Sequence, residues 1–516
     1  EGDKPGERGE GASKAAEIVR RTGVREGYCM VLGGCSRDVL LDFVEQTDLK
    51  VIGVDGDAAK IDRLRRMLDD RGLYGNRVEL LAGEPGAIHF PPYLASLIVA
   101  ETADAAGLGR LRDMLRPYGG TACLAISEEA HKGLADRASA VLGEGTLLER
   151  SGDVTLLRRA GALTGSAAWT HECGDAARTY YSGDELVKAP LGVLWYGDGE
   201  GHGFWKRKDY GVGVKPQVIG GRLFALRLST NTLVAYDVYT GRHLWQVQVE
   251  PFTRYASMED GVYVAAGGMV RVLDPATGLQ RRAFRFAADG EPAAVSDIRV
   301  GDDVVVIAAA EEKVRAIEKG LWDATLLVSL DRTSGKILWK REAEERFNNN
   351  AFALGGGMVF VVDSLSAADA DGRRRRAEAD ATEPSKILAL DARTGEVRWT
   401  AVKENPYRTY VTGQWLTLRG NDDWLAYSES LGLVVAGKQK RAYAFEAATG
   451  REVWAKPIGA APWVLRGETV LHQGGGVVDL RTGQHVGTAA SIKRGGCNYF
   501  VAGPHLLFLR ERSVSY

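Results

Sequence analysis

Two histidines, an arginine run and five cysteines are the residues here whose types could do chemistry. His171 closes a Trp-Thr-His triplet (169–171). Such a histidine could serve as a base or a haem ligand, but it reads better as a packing imidazole that ties a junction together. His202 lies in a Gly-rich aromatic loop, GDGEGHGFWKRKDYGVG, of the kind that receives a partner or a sugar. The run Arg373–Arg376 could hold an anion, yet the acids around it make a solvated loop the better reading. Cys29, Cys35, Cys123, Cys173 and Cys497 form no CxxC pair, and the eight histidines show no HxH or HExxH spacing. No metal site is therefore expected. Cys29 and Cys123 fall in apolar runs and read as core. Cys173 and Cys497 fall in loops and, in an exported protein, could be disulfide-bonded to each other or beyond Tyr516. No GxSxG, P-loop or paired-carboxylate constellation stands out.

The elements that would position these residues change character along the chain. Its 516 residues suggest more than one domain, with 45% hydrophobic and 26% charged residues, as in globular proteins. A net charge of −2 gives no field to draw in nucleic acid or an anionic membrane. No run of about 18 apolar residues could span a bilayer. Glu1 leads without a Met into a polar, Gly-rich stretch, which fits a mature end left after signal-peptide removal or an excised boundary. Residues 13–160 alternate short apolar runs (YCMVL at 28–32, VIGV at 51–54) with amphipathic helices such as 58–70. Five strand–helix units and a final hairpin predict a parallel sheet covered on both faces. Residues 161–168 read as a linker and 1–12 as a flexible N-terminus.

From Trp169 helical periodicity gives way to a repeated unit: AYDVYTGRHLW (235–245), VLDPATGLQRR (272–282), SLDRTSGKILW (329–339), ALDARTGEVRW (389–399), AFEAATGREVW (444–454) and the weaker VVDLRTGQHVG (477–487). Copies fall 33 to 60 residues apart, with an acid four residues before each Gly. The acid caps a turn, Gly supplies positive φ, and a Trp eight residues after the acid fills the gap to the next sheet. Such a period predicts stacked sheet units, none able to bury its face alone. Residues 311–323 and 363–385 read as insertions, the first helical. HLLFLRERSVSY (505–516) reads as two strands of a further unit, and the period places the next acid near 517. The expectation is a piece of a longer chain, or a last unit completed by another chain.

The repeat resembles the AxDxxTGxxxW blade of quinoprotein dehydrogenases and of the outer-membrane assembly lipoprotein's propeller. That resemblance implies a β-propeller over 169–516, with seven or eight blades and the last incomplete. Its enzymes hold pyrroloquinoline quinone and calcium in a central funnel through Glu, Asn and Asp, with a disulfide between neighbouring cysteines. This sequence has no adjacent Cys pair, and Asn348–Asn350 is the conceivable ligand source, in what reads as a polar loop. Residues 13–160, with VLGGCSRD (31–38), VIGVDGD (51–57) and LRPYGG (115–120), resemble a class I S-adenosylmethionine methyltransferase. The resemblance makes Gly33 the first Gly of its GxGxG loop, with Cys35 and Arg37 in place of the other two. It makes Asp55 the ribose-holding acid, Glu84 the adenine-contacting acid and Glu101 the acid ending the fourth strand. A Cβ and thiol at Cys35 are expected to obstruct the ligand that bare backbone would admit.

The whole chain is similar to exported bacterial proteins in which a degenerate methyltransferase-like domain precedes a WTH segment and propeller repeats. The fold class expected is thus α/β plus all-β: a Rossmann-like seven-stranded domain, then a quinoprotein-like propeller. The function expected is a non-catalytic binding or assembly protein, exported to the periplasm or cell surface, with a protein partner and no cofactor. S-adenosylmethionine at Gly33, Cys35, Asp55, Glu84 and Glu101, in a methyltransferase, is the first alternative. A quinoprotein oxidoreductase is the second.

Overall fold

The computed structural model describes residues 10–101, 105–196, 215–251, 253–310, 323–364, 385–403, 423–438, 441–458, 463–472, 475–489 and 501–508. His202, Arg373–Arg376, Cys497 and the body of both insertions (311–322 and 365–384) lie outside them. The chain forms two compact units. One is Glu1–Thr164 with Gly192–Asp198 and Asp237–Arg242; the other is the remainder.

The first unit carries α1 (Glu10–Thr22), β1 (Glu26–Leu32), α2 (Arg37–Gln46), β2 (Asp48–Asp55), α3 (Ala58–Asp69), β3 (Val78–Ala82), β4 (Ala95–Ala100), α4 (Ala105–Met114), β5 (Gly120–Leu124), α5 (Glu128–Leu142), β6 (Thr146–Ser151) and β7 (Val154–Arg159). Its seven strands lie in the order β3-β2-β1-β4-β5-β7-β6. The first five are parallel, and β7 runs antiparallel to both β5 and β6. Alternation along β1 explains why that strand is apolar throughout. Cys29 and Val31 join the cluster under α1, α2 and α3, whereas Met30 and Leu32 join the one under α4 and α5. Helices α2 and α3 start where Ser36 and Asp57 accept from Val39 and Lys60 N–H groups. The strand order reverses between β1 and its neighbours β2 and β4, which opens a crevice at their carboxyl ends.

The second unit is a succession of antiparallel sheets. Six are four-stranded blades: 217–248, 254–285, 294–347, 347–403, 423–456 and 464–488. Blades three and four share one 19-residue strand, Ile337–Gly355, which runs on from the outside of one to the inside of the next. The Asn348–Asn350 run thus sits in a strand, not in the loop expected from its composition. A seventh sheet pairs Val501–Ala502 with Leu507–Phe508.

Each repeat closes a blade in the same way. The acid's backbone accepts from the Gly N–H four residues on, as in Gly395→Asp391 and Gly450→Glu446, both Gly at positive φ. In Asp391 the side-chain oxygen also caps the Arg393 and Thr394 N–H groups. The Trp then reaches the next blade. Nε1 of Trp245, Trp339, Trp399 and Trp454 donates to the carbonyl after the following acid, at Pro275, Ala392, Ala447 and Leu480. The indole lies flat against that blade's Gly. A Cβ on Gly278, Gly395, Gly450 or Gly483 would come within 2.6–2.7 Å of the ring. Glycine is required there twice over, for φ and for the ring. The second repeat has no Trp, and Phe284 takes the place over Gly335.

Candidate functional site

In the first unit the expected residues lie at the carboxyl ends of β1, β2, β3 and β4. Gly33 N–H donates to Val54 O at 2.8 Å, at φ +80°, and a Cβ on it would meet nothing within 4 Å. The exposed Glu101 carboxylate covers the neighbouring Gly34, and Glu84 covers Gly56; an added Cβ would meet either at 2.5 Å. Cys35 corrects the steric expectation. Its thiol turns into the core beneath β1 and β2, within reach of Val31 O and Val54 O, and is fully buried. Burial pushes that thiol up to about 11. Its side chain therefore leaves the loop clear, and its N–H faces Asp55.

Asp55 has protein partners on both oxygens. Oδ1 accepts from Asp57 N–H at 3.1 Å; Oδ2 accepts from Cys35 N–H at 3.2 Å and from Lys60 Nζ at 2.6 Å. Burial opposes its charge, but the Lys60 bond and charge together with the Asp57 and Cys35 N–H groups outweigh it and hold the carboxyl below its ordinary range. A ribose diol needs both oxygens of such an acid, and only Oδ1 keeps a free lone pair. The sequence reading missed Lys60, whose signal was its place five residues after Asp55 in the first turn of α3.

The second unit has a site that the repeats did not disclose. Residues 169–182 touch the inner edge of every sheet in turn. Trp169 exchanges two bonds with Val218 of blade one, and Ser257 N–H of blade two donates to Thr170 O. Val300 N–H of blade three donates to His171 Nε2 at 3.1 Å. Leu354, Tyr427 and Leu465 N–H groups, from blades four, five and six, donate to Ala176, Ala177 and Thr179 carbonyls. Tyr180 O and Ser182 N–H both bond Ala502 of the seventh sheet. Fourteen residues thus run once round the axis as a hub. They satisfy edge groups that would otherwise face an open channel.

His171, Cys173 and Arg178 of the hub are buried, and Glu172 and Asp175 are half-buried. His171 is 1% exposed, with Nδ1 on Thr170 Oγ1 at 2.8 Å. Because Nε2 accepts from Val300, the imidazole is neutral, and burial followed by nearby Arg299 pushes its pKa well below the ordinary value. It is a structural pin, as the packing reading anticipated. Cys173 is a free buried thiol on Tyr180 Oη at 3.0 Å, not half of a disulfide. Glu172 pairs with Lys215 at 2.5 Å. Burial works against its charge, yet Lys215 and Arg254 hold its carboxyl down to about 2. Arg178 donates to Asn349 O and Tyr180 Oη. A cavity of about 400 Å³ lies against the hub, lined by Asp175, Thr179, Tyr181, Ser428, Glu429 and Ser430 among others.

The family described as outer membrane protein assembly factor BamB matches this chain over residues 140–320, 300–462 and 383–495. The chain belongs to that family. A polyvinylalcohol dehydrogenase of Sphingopyxis sp. (strain 113P3) is 25% identical over 228 residues, 38% of this chain and 34% of that protein. The match thus spans about a third of that relative's length. A putative S-adenosyl-L-methionine-dependent methyltransferase from Methanococcus maripaludis covers 32% of this chain and 98% of its own, with 13% identity and a TM-score of 0.26. Hsv2 of Kluyveromyces lactis covers 50% and 67%, with 9% identity and a TM-score of 0.29. These two likenesses carry nothing about activity.

Around the hub the cations Lys215, Arg178 and Arg299 are paired with acids of the same region, Lys215 with Glu172 and both arginines with Asp297. Asn348 Oδ1 accepts from Asn350 N–H. Among the described residues no group of three His, Cys, Asp or Glu could hold a metal ion, and no helix is long and apolar enough to cross a membrane.

Proposed function

We propose that this is an exported, non-catalytic binding or assembly protein whose propeller is a rigid platform for a protein partner and whose nucleotide-type unit is an interaction module. One observation carries the reading: the hub of residues 169–182 is bonded to the inner edges of successive described sheets, on the side of the blades where the family's enzymes would hold their redox group. The Lys60–Asp55 pair supports it in the first unit, since it occupies one of the two carboxylate oxygens that an adenosyl ribose would use. Export rests on the family and on the BamB name alone.

A methyltransferase reading has one observation in its favour, the open space above Gly33. A quinoprotein oxidoreductase has the polyvinylalcohol dehydrogenase likeness. Titration calorimetry of the whole chain with S-adenosylmethionine and its demethylated product separates the first from the proposal. No heat at micromolar ligand is expected, and micromolar binding overturns an inert module. Incubation with pyrroloquinoline quinone and calcium, followed by gel filtration, tests the second. Quinone absorbance that travels with the protein overturns a cofactor-free propeller.

A further inference from the structure

Trp195 makes the contacts of a blade tryptophan, yet its own strand has no neighbour. Its Nε1 donates to Val238 O at 2.8 Å, the carbonyl after Asp237, and its ring lies against Gly241, where a Cβ would strike it. Trp245, Trp339, Trp399 and Trp454 make the same pair of contacts, each from the fourth strand of its blade. Residues 193–196, by contrast, have no strand partner among the described residues. Leu191, Val193, Leu194 and Tyr196 around the indole are exposed. An apolar stretch anchored by one ring and open along its backbone lacks the strand that would cover it.

The other blades specify what that strand must carry. Opposite each tryptophan, on the third strand, stands a small residue: Ala235, Ser329, Ala389 or Ala444. The two blades without a tryptophan have valine there, Val272 opposite Arg282 and Val477 opposite Gly487. Directly opposed residues have Cβ atoms about 4.5–5.5 Å apart, so a branched side chain crowds an indole that a small one admits. Apolar residues flank the small one, as in Val234-Ala235-Tyr236 and Leu388-Ala389-Leu390. The same triplet recurs as Val514-Ser515-Tyr516, a few residues after the Leu507–Phe508 strand of the seventh sheet. The stretch that leads to Trp195 leaves from beside that sheet. Ser182 N–H donates to Ala502 O, and His505 Nε2 lies 2.9 Å from Glu185 Oε2.

We propose that residues 512–516 dock on residues 193–196 as the third and fourth strands of the seventh sheet, with Ser515 opposite Trp195, Val514 opposite Tyr196 and Tyr516 opposite Val193. This is the register of the four tryptophan-bearing blades. The outermost strand of the last sheet thus comes from the start of the propeller, and Trp195 locks that sheet to blade one. The apolar run at 191–196 is a seam within this chain and not a surface for a partner.

The test uses the full chain. Tyr196→Cys combined with Val514→Cys is oxidised, digested and read by mass spectrometry for the linked peptides. A bond within one chain is expected, in a yield at least about tenfold above that of Tyr196→Cys with Ser513→Cys, because successive side chains of a strand face opposite ways. Equal yields, no bond, or a bond between two chains overturns the proposal. Hydrogen exchange checks the register without a cross-link. Amides at 193–196 of the parent are expected to exchange at least about tenfold more slowly than in the unfolded chain. Ser515→Leu crowds the indole and should abolish that protection. Ser515→Ala, the residue of three other blades, should keep it. Protection that is absent in the parent, survives leucine or is lost with alanine overturns the pairing.

Discussion

Gly450→Ala is the sharpest test of how adjacent blades are locked. Gly450 has φ +74°, and a Cβ there would lie 2.6 Å from the Trp399 ring. Holding alanine in the left-handed region costs about 1–2 kcal/mol. Forcing a methyl into a filled contact costs about 1–3 kcal/mol more. The ring cannot retreat easily, because Trp399 Nε1 is bonded to Ala447 O at 2.7 Å and the side chain is 7% exposed. The total expected loss is thus about 2–5 kcal/mol. Gly432, in the same blade at φ +60° with nothing within 4 Å of an added Cβ, is the internal control. Gly432→Ala should lose only the backbone part, about 1–2 kcal/mol. Urea unfolding followed by tryptophan fluorescence measures both. A cycle with Trp399→Leu then isolates the contact, since the alanine at 450 should cost no more than at 432 once the indole is gone. Equal losses at 450 and 432 in the parent protein would refute the claim that the ring, and not φ alone, demands glycine.

Three further outcomes follow from the geometry. Lys60→Ala frees Oδ2 of Asp55, so calorimetry with adenosine-containing ligands should detect binding at least about tenfold tighter than to the parent, the worth of one charge-assisted hydrogen bond; unchanged affinity would mean Asp55 is not the acceptor. His171 is neutral when folded and its pKa is depressed, so below pH 6.5 the unfolded chain takes a proton that the folded one refuses, and stability falls as pH falls, by up to about 1.4 kcal/mol per unit. Tm measured from pH 7.5 to 5.5 should show that loss shrink in His171→Leu, which is also destabilised by about 1–3 kcal/mol through the orphaned Val300 N–H; identical pH slopes would remove His171 from the account. Cys29, Cys35, Cys123 and Cys173 are all buried free thiols, with Cys35 and Cys123 raised by burial to about 11, so none should react with a maleimide at pH 7 until the protein unfolds. Mass spectrometry of the labelled native protein decides it.

What each residue does locally was legible in the sequence. Apolar runs separated by amphipathic helices specified the parallel sheet. The acid, Gly and Trp of the repeat specified the blade turn, because a capped turn and a left-handed Gly are set within a few residues of chain. The gathering of Gly33, Asp55, Glu84 and Glu101 was equally readable, since each follows the end of a parallel strand. Contacts between distant residues were decided only by the tertiary structure. No pattern at positions 33–38 says that the Cys35 thiol turns inward; that depends on the room beneath β1 and β2. Lys60 neutralises Asp55 because the first turn of α3 brings it back over the strand end. The hub is the clearest case. WTHECGDAARTYYS has no periodicity of its own, and its hydrogen bonds go to seven strands spread over more than 280 residues. Its conformation is set by the inner edges it satisfies, so it exists only once the ring has formed around it.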